Sequence, residues 1–282
     1  MIPTRSLPAR KTANWAVTVL SSLAALLGLF ILGWILLEVF SRGAAALNLN
    51  FFTALPTPPG MEGGGLANAI LGTLGITALA TVIGVPTGML AGIYLAEFGK
   101  QRKLAALARF TVNVMMGVPS IIVGLFVYTL VVVPAGHFSG YAGALSLALI
   151  MLPVVARTTE DMLALVPNSL RESALALGAP RWKTTLGVVF RGAKKGLMTG
   201  VLLGVARVSG ETAPLLFTAL NSPYWPSRLD QPTPNLTVTI FNYAMSPYAD
   251  WQQTAWGASL LIMAAVLSLS ILARYWMREV KS

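Results

Sequence analysis

The stretch that decides the fold runs from Pro167 to Pro180 and reads Pro-Asn-Ser-Leu-Arg-Glu-Ser-Ala-Leu-Ala-Leu-Gly-Ala-Pro. Ser169 and Glu172 have the spacing of a capping box, in which each side chain accepts a hydrogen bond from a backbone N–H, so a helix is expected to start at Ser169. Pro167 prevents a helix from running in from the N-terminal side, Gly178 supplies a left-handed stop, and Pro180 suits the first turn of another helix. The stretch therefore predicts a short helix isolated between two breaks.

A short helix of this kind, held outside a membrane between two longer helices, has a shape suited to insertion into a groove of a partner. Its sequence, Glu172-Ser173-Ala174 followed after three residues by Gly178, resembles the Glu-Ala-Ala-x-x-x-Gly signature of permease subunits of bacterial ATP-binding-cassette importers. The resemblance implies a coupling helix that sits on an ATPase subunit, with coupling residues Ser169, Glu172, Ser173, Ala174 and Gly178. The alternative is an ordinary capped helix that ends at a glycine, because such caps are common.

Composition places the chain among membrane proteins. Of its 282 residues, 55% are hydrophobic and 11% are charged, whereas soluble domains carry about 25% charged residues. The absence of cysteine and the single histidine, His137, exclude disulfides, cysteine nucleophiles and iron–sulfur ligation and leave no basis for a zinc site. We therefore predict an all-α integral membrane protein with neither a metal site nor a catalytic residue set.

Six apolar segments are candidates to cross a bilayer, which takes about 20 helical residues. The first is too long for the apolar part of a signal peptide, about 7 to 15 residues, and is interpreted as an uncleaved helix. Pro86 and Pro119 fall inside predicted spans, where neighbouring helices can satisfy the freed carbonyls. The six predicted spans are Trp15 to Val39, Leu66 to Leu95, Thr111 to Val133, Tyr141 to Ala156, Gly196 to Leu220 and Thr254 to Ala273.

These spans divide the chain into a first helix and a larger transmembrane domain. Residues 1–14 are an N-terminal segment, 15–39 the first transmembrane helix, 40–65 an external loop, 66–273 the permease domain and 274–282 a tail. Within the large domain, 157–195 form the loop that carries the short helix, and 221–253 form a second external loop rich in proline and aromatic residues.

The basic residues set the expected orientation. Seventeen of the 20 lie on the side of the two termini, so the positive-inside rule places the termini and the Ser169 helix in the cytoplasm. Arg42 and Arg228 lie on the other side, and Arg207 lies within the fifth span. The net charge of +10 therefore reflects topology and does not indicate nucleic-acid binding. The cytoplasmic set is Arg5, Arg10, Lys11, Lys100, Arg102, Lys103, Arg109, Arg157, Arg171, Arg181, Lys183, Arg191, Lys194, Lys195, Arg274, Arg278 and Lys281.

Arg207 needs an explanation, because a charge near the centre of a spanning helix costs about 2.5 to 3.5 kcal/mol even on insertion scales. On a helical projection, Glu211 and the glycines at 200 and 204 share its face. In one interpretation the glycines make a close helix contact and the two charges neutralise each other. In the other, the face lines a pathway where the guanidinium meets an anion. The two interpretations are compatible, since Glu211 can hold the arginine between transport events.

The resemblance extends over nearly the whole chain and is most specific around Arg207, where Gly210-Glu211-Thr212-Ala213-Pro214 is similar to the phosphate permeases of the importer superfamily. The chain departs from the superfamily signature at Val188-Val189-Phe190-Arg191, where Ile-x-Leu-Pro is usual, which puts the usual bend before the fifth helix in question. Further matching segments are Gly72-Thr73-Leu74, Tyr94-Leu95-Ala96-Glu97-Phe98-Gly99, Val118-Pro119-Ser120-Ile121, Arg157-Thr158-Thr159-Glu160 and Ala206-Arg207-Val208-Ser209.

The resemblance implies a six-helix, type I (MetI-like) importer permease in a bacterial inner membrane, with a substrate pathway that includes Arg207, Glu211, Thr212 and Arg157. Its implied partners are a second, similar permease, two ATPase subunits and an external phosphate-binding protein. No phosphate-binding loop of the Gly-x-x-x-x-Gly-Lys-Ser/Thr type is present, so ATP is expected on the separate ATPase. Two alternatives stay open. One is a permease for sulfate, molybdate or phosphonate, and the other is a membrane enzyme acting on lipid-linked phosphates.

Overall fold

The computed structural model describes residues 7–61, 63–99 and 102–278, and within these ranges the chain is helical with no strand. The predicted all-α class is therefore confirmed. Arg5, Lys100 and Lys281 of the basic set lie outside the described residues. The helices are α1 Leu7–Gly43, α2 Leu49–Thr53, α3 Ala67–Ile93, α4 Lys103–Gly117, α5 Ser120–Val127, α6 Val133–Ala135, α7 Gly140–Ala164, α8 Asn168–Ala176, α9 Arg181–Thr184, α10 Phe190–Ser209, α11 Ala213–Thr218, α12 Leu236–Ala244 and α13 Ala249–Arg278. A short 3₁₀-helix follows α1 at Ala44–Ala46, and π-helical turns lie at Tyr94–Phe98, Tyr128–Val132 and Thr185–Val189.

Helix α7 is the centre of the bundle, and α3 packs against it through a row of glycines. A Cβ atom on Gly84, Gly88 or Gly92 would lie 3.2, 2.9 or 2.5 Å from a backbone carbonyl oxygen of α7. Because those oxygens belong to the backbone of α7, they could not move aside for a larger side chain. The glycine spacing of four residues therefore sets the close approach of the two helices.

Helix α10 lies against another side of α7 by the same means. Gly196, Gly200 and Gly204 face Met162, Thr158 and Val155 of α7. The close glycine contact that the sequence suggested for this face is thus formed. The central core is completed by residues of α3, α7, α10, α11 and α12, among them Ile76, Leu147, Met151, Val155, Val208, Leu215 and Val238.

Within the described residues, four single helices are long and apolar enough to cross a membrane, in Arg10–Ala46, Ala67–Phe98, Gly140–Ala164 and Ala249–Leu272. A fifth candidate is the pair α4 and α5, which bends by 106° at the Val118–Pro119 break. The third predicted span is therefore not one straight helix. The fourth predicted span lies within α7, which contains Pro153 and continues to Ala164 instead of ending at Ala156. The count of six spans stays a prediction.

The fifth predicted span, Gly196 to Leu220, is broken in the structure. Helix α10 begins at Phe190 and ends at Ser209, and α11 begins at Ala213 with Pro214 in its first turn. Pro214 has no N–H to donate to the preceding turn, and it lies in the first turn of α11, where that donor is not needed. Glu211 consequently lies beyond the end of α10, so the helical projection from Arg207 does not apply to it.

The short helix α8 is isolated between two breaks as predicted, but its start differs. It begins at Asn168 with Pro167 before it, and no side chain caps it, so Ser169 lies inside the first turn and the predicted capping box is wrong. The end is as predicted: Gly178 has φ +81. Its N–H donates to the Leu175 carbonyl at 2.9 Å and the Ala179 N–H donates to the Ala174 carbonyl at 3.1 Å, which is a Schellman motif.

Candidate functional site

Arg207 lies at a cavity between the broken α4–α5 pair, α7 and α10. The cavity has a volume of about 60 Å³, and among the described residues that line it Arg207 is the one charged side chain. Its wall includes Met116 and Val118 at the break and Val154 on α7. Because of the break at Pro119, the end of α4 and the start of α5, rather than one straight helix, lie beside the guanidinium.

The guanidinium is only loosely held by the acid expected to neutralise it. Arg207 Nε lies 3.8 Å from Glu211 Oε1, beyond hydrogen-bond distance, and the two side chains are 53% and 18% exposed. The protein thus leaves most of the donors of this arginine available. A planar guanidinium with free donors can bind two oxygens of an oxyanion in parallel.

Glu211 and Thr212 are placed by the turn that joins α10 to α11. The Glu211 N–H donates to the Val208 carbonyl at 3.2 Å, and the Thr237 hydroxyl of α12 donates to the Glu211 carbonyl at 3.1 Å. Thr212 precedes α11, and its carbonyl accepts from Leu215 and Leu216. The turn is therefore tied to α12 as well as to the two helices it joins.

Arg157 is held by acids of its own helix and is not among the residues that line the Arg207 cavity. Its guanidinium pairs with Glu160 at 3.5 Å and with Asp161 at 3.2 Å. Glu160 in turn accepts from Arg109 Nε of α4 at 2.5 Å, and Arg109 also donates to the Leu95 carbonyl at 2.7 Å. Among the four predicted pathway residues, the structure thus brings Arg207, Glu211 and Thr212 together and leaves Arg157 in a separate ionic network.

The predicted coupling residues lie on a largely exposed α8. Ser169, Glu172, Ser173 and Gly178 are exposed, and Ala174 is half-buried. An exposed acid on an exposed short helix is available to a partner. The π-helical turn Thr185–Val189 follows α9 and covers the Val188–Val189 half of the segment where the chain departs from the superfamily signature.

Arg171 fastens α8 to the rest of the protein, a role that the sequence analysis missed. Its Nε and Nη2 donate to Glu97 Oε1 at 3.1 and 2.7 Å, and its guanidinium also donates to the carbonyls of Leu163 and Val166 at the end of α7 at 2.7 and 2.5 Å. The Arg171 and Glu97 side chains are 12% and 10% exposed. We name this set of bonds the α8 clamp.

One signal in the sequence could have pointed to the clamp. The chain has only 10 acidic residues, and Glu97 and Glu160 both fall in segments that match the importer permeases. An acid near the end of an apolar span is costly unless it is paired, so each one predicts an arginine partner. The partner cannot be chosen from sequence because ten arginines share the predicted cytoplasmic side with them.

Comparison with known proteins agrees with this architecture. Residues 84–281 match the family model described as binding-protein-dependent transport system inner membrane component. The chain is 51% identical over 265 residues, 94% of this chain and 90% of the relative, to the phosphate transport system permease protein PstA of Yersinia pestis. It is 47% identical over 272 residues, 96% of both chains, to the protein of the same name from Haemophilus influenzae.

Among solved structures, the inward-facing MetNI methionine ABC transporter has a similar fold. The TM-score is 0.65 at 20% sequence identity, over 77% of this chain and 96% of that chain. A crystallised amino acid ABC transporter is similar at a TM-score of 0.58 and 18% identity, over 76% of this chain and 92% of that chain. These likenesses support a shared helical fold over 76% to 77% of this chain.

Proposed function

Because the chain belongs to the binding-protein-dependent transport system inner membrane component family, we propose that it is the permease subunit of an ATP-driven phosphate importer. In this role it is a multi-pass membrane protein and a transport subunit, not an enzyme. It forms half of the pathway for inorganic phosphate across a bacterial inner membrane. The relatives named as phosphate permeases, which match 94% to 96% of the chain, support the substrate.

One structural observation supports the mechanism: Arg207 is a half-exposed cation with a loosely held partner at a cavity whose other lining residues are apolar except for Ser120. Phosphate at neutral pH is an anion that cannot cross a low-dielectric bundle without a compensating cation. The guanidinium is always charged and offers two parallel donors to two phosphate oxygens. Glu211 holds the cation between transport events, and the Thr212 hydroxyl is the neighbouring polar group of the same turn.

The ionic network around Arg157 has a different part in the proposal. Arg157, Glu160 and Arg109 join α4 to α7, so they link the helix before the Pro119 break to the central helix. A shift of α4 against α7 would therefore open or close the cavity at Arg207. We place Arg157 at the inner end of the pathway, as a residue that positions α7.

The proposed partners are a second, similar permease, two ATPase subunits and an external phosphate-binding protein. The exposed α8, which the α8 clamp joins to α3 and α7, supports docking of an ATPase there. Co-purification tests this arrangement: a tagged chain should retain an ATPase and a second permease in mild detergent. A chain that purifies alone from cells making all the subunits would contradict it.

Uptake of labelled phosphate tests the substrate. Cells that lack this chain should lose high-affinity phosphate uptake and regain it with the intact gene, and excess sulfate should not compete. Competition by sulfate, molybdate or phosphonate would favour a permease for another oxyanion. Normal phosphate uptake without the chain, together with turnover of a lipid-linked phosphate by the purified protein, would favour the membrane-enzyme alternative.

A further inference from the structure

A polar cleft lies beside α8, and none of its lining residues lines the Arg207 cavity. It has a volume of about 440 Å³ and is lined by side chains of α8, α9 and the π-helical turn at the end of α3. Small-molecule sites have volumes of about 300 to 1,000 Å³, so the cleft has room for a small charged group. Its lining residues are Glu97, Phe98, Arg102, Arg171, Leu175, Arg181, Thr184 and Thr185.

The charges of the cleft do not balance. Arg171 is committed to Glu97 and to the carbonyls at the end of α7. Arg102 and Arg181 are exposed, and neither forms an ion pair with an acid in the described parts of the chain. With one acid against three arginines in the lining, the cleft carries two uncompensated guanidinium groups that face one space.

The surroundings favour a phosphate group as the occupant. Guanidinium groups bind phosphate oxygens through pairs of parallel N–H donors, and two unpaired guanidiniums at one cleft match the charge of a phosphate. Trp182, an exposed ring, directly follows the cleft residue Arg181 in α9, and tryptophan is enriched at the level of lipid headgroups. Basic clefts between helices on the cytoplasmic side are sites where anionic headgroups bind.

We propose that this cleft is a second anion site, separate from the translocation pathway, in which Arg102 and Arg181 bind a phosphate oxyanion supplied either as free phosphate or as a lipid headgroup. The cleft shares Arg171 and Glu97 with the α8 clamp. An anion in the cleft therefore lies against the residues that position α8. Bound anion adds acceptors beside Arg171 and compensates the two free arginines, so it stabilises the clamped position of α8.

The test compares two variants of the purified transporter complex. Arg102→Gln with Arg181→Gln removes both proposed ligands while leaving the α8 clamp untouched. Lys183→Gln is the matched control, because it removes a cation from the same helix, α9, at a residue that does not line the cleft. All variants carry Arg207→Gln, so phosphate bound in the translocation cavity does not contribute to the signal.

Two arms distinguish the source of the phosphate. In nanodiscs of phosphatidylcholine alone, ³¹P NMR titration measures the affinity for inorganic phosphate. In nanodiscs containing phosphatidylglycerol, native mass spectrometry counts retained anionic lipid. We expect the double variant to lose about tenfold or more in affinity in one arm, because each arginine supplies charge-assisted bonds, with the Lys183→Gln control unchanged.

A response in the first arm identifies free phosphate as the occupant, and a response in the second identifies a lipid headgroup. Equal binding by the double variant and the parent in both arms overturns the proposal, as does an equal loss in the Lys183→Gln control. Because binding is measured without transport, the result does not depend on the proposed role of Arg207. Failure of the importer function would appear in the uptake experiment and not here.

Discussion

At the scale of single residues, the main question is why the Arg207 guanidinium lies at a mainly apolar cavity without a close ion-pair partner. Arg207 Nε is 3.8 Å from Glu211, and more than half of the arginine side chain is exposed. A structural ion pair at this depth would be short and fully bonded, as the α8 clamp is. The loose geometry favours an arginine kept for a mobile anion over one kept for neutralisation.

Replacement of Arg207 should give a graded loss of phosphate uptake. Arg207→Lys keeps the charge but loses the two-donor fork, so we expect a reduction of about tenfold or more, the effect of one charge-assisted hydrogen bond of about 1.5 to 3 kcal/mol. Arg207→Gln should abolish uptake. Glu211→Gln should have a smaller effect, because it leaves the cation in place. Initial uptake rates, normalised to the amount of protein in the membrane, measure the series.

The double variant Arg207→Gln with Glu211→Gln separates the two interpretations of the pair. A structural ion pair can be replaced by neutral groups at little cost, whereas a substrate-binding cation cannot. We therefore expect the double variant to be present in the membrane at normal amounts but inactive. Robust phosphate uptake by this variant would remove Arg207 from the pathway.

At the scale of elements, α8 combines an exposed outer face with a nearly buried clamp. Two breaks isolate it, Pro167 at its start and the Schellman motif with Gly178 at its end. The α8 clamp fixes the position of α8, because Arg171 donates hydrogen bonds both to Glu97 after α3 and to the Leu163 carbonyl at the end of α7. Motion of an ATPase that holds α8 would pass to these two helices through one side chain.

Two substitutions, one in α8 and one at the glycine that follows it, should uncouple ATP hydrolysis from uptake without blocking membrane insertion. Glu172→Lys reverses the exposed charge offered to the ATPase. Gly178→Pro is incompatible with φ +81 and removes the N–H that donates to Leu175. Gly178→Asn is the control, because asparagine tolerates the left-handed region. Parallel measurement of ATPase activity, complex assembly and uptake decides, and normal uptake with Glu172→Lys or Gly178→Pro would refute the coupling role.

The row of glycines by which α3 packs against α7 makes a second prediction at this scale. Gly92→Ala should lower the thermal stability of the purified protein, because its Cβ would lie 2.5 Å from the Ala156 carbonyl oxygen. Overpacking of this kind costs about 1 to 3 kcal/mol. Gly28→Ala on α1, where nothing lies within 4 Å of the new Cβ, should cause no loss. A thermal shift that is equal for the two variants would show that the close α3–α7 contact does not contribute.

At the scale of the whole molecule, the bundle is built on α7, while α1 lies outside it. None of the residues in the most apolar window of α1 is buried, and α1 meets α13 where Gly43 lies against Trp256 and Leu260. In a membrane protein, such an exposed apolar helix faces lipid. The match to the importer family model starts at residue 84, within α3, so α1 lies before the matched region.

The orientation of the whole molecule is testable because the chain has no cysteine of its own. We expect Ser227→Cys in the predicted external loop to react with an impermeant maleimide in right-side-out membrane vesicles. Lys183→Cys on α9 should react only in inside-out vesicles. Both positions are exposed in the structure, so accessibility to the reagent is matched. The reverse pattern of labelling would show that the positive-inside assignment is wrong.

The sequence by itself determined the membrane class, the helical fold, the isolated short helix and its glycine stop. These features depend on composition or on a few neighbouring residues: apolar runs define spans, and Gly178 adopts a left-handed φ because it lacks a Cβ. The family likewise followed from contiguous motifs, above all the segment that contains Arg207 and Glu211. Such features can be predicted from sequence because residues close together in the chain determine them.

Only the tertiary structure decided which charges meet and where the helices break. Arg171 and Glu97 are 74 positions apart, so their pairing depends on how α3, α7 and α8 pack. The structure also starts α8 at Asn168, one residue before the predicted start at Ser169, with no side chain capping it. The cavity that Arg207 lines exists because α4 and α5 break opposite α10. The position of Glu211 relative to Arg207 follows from the end of α10 at Ser209. The physical reason is that ion pairs and cavities form between distant segments, and their geometry exists only once the helices have packed.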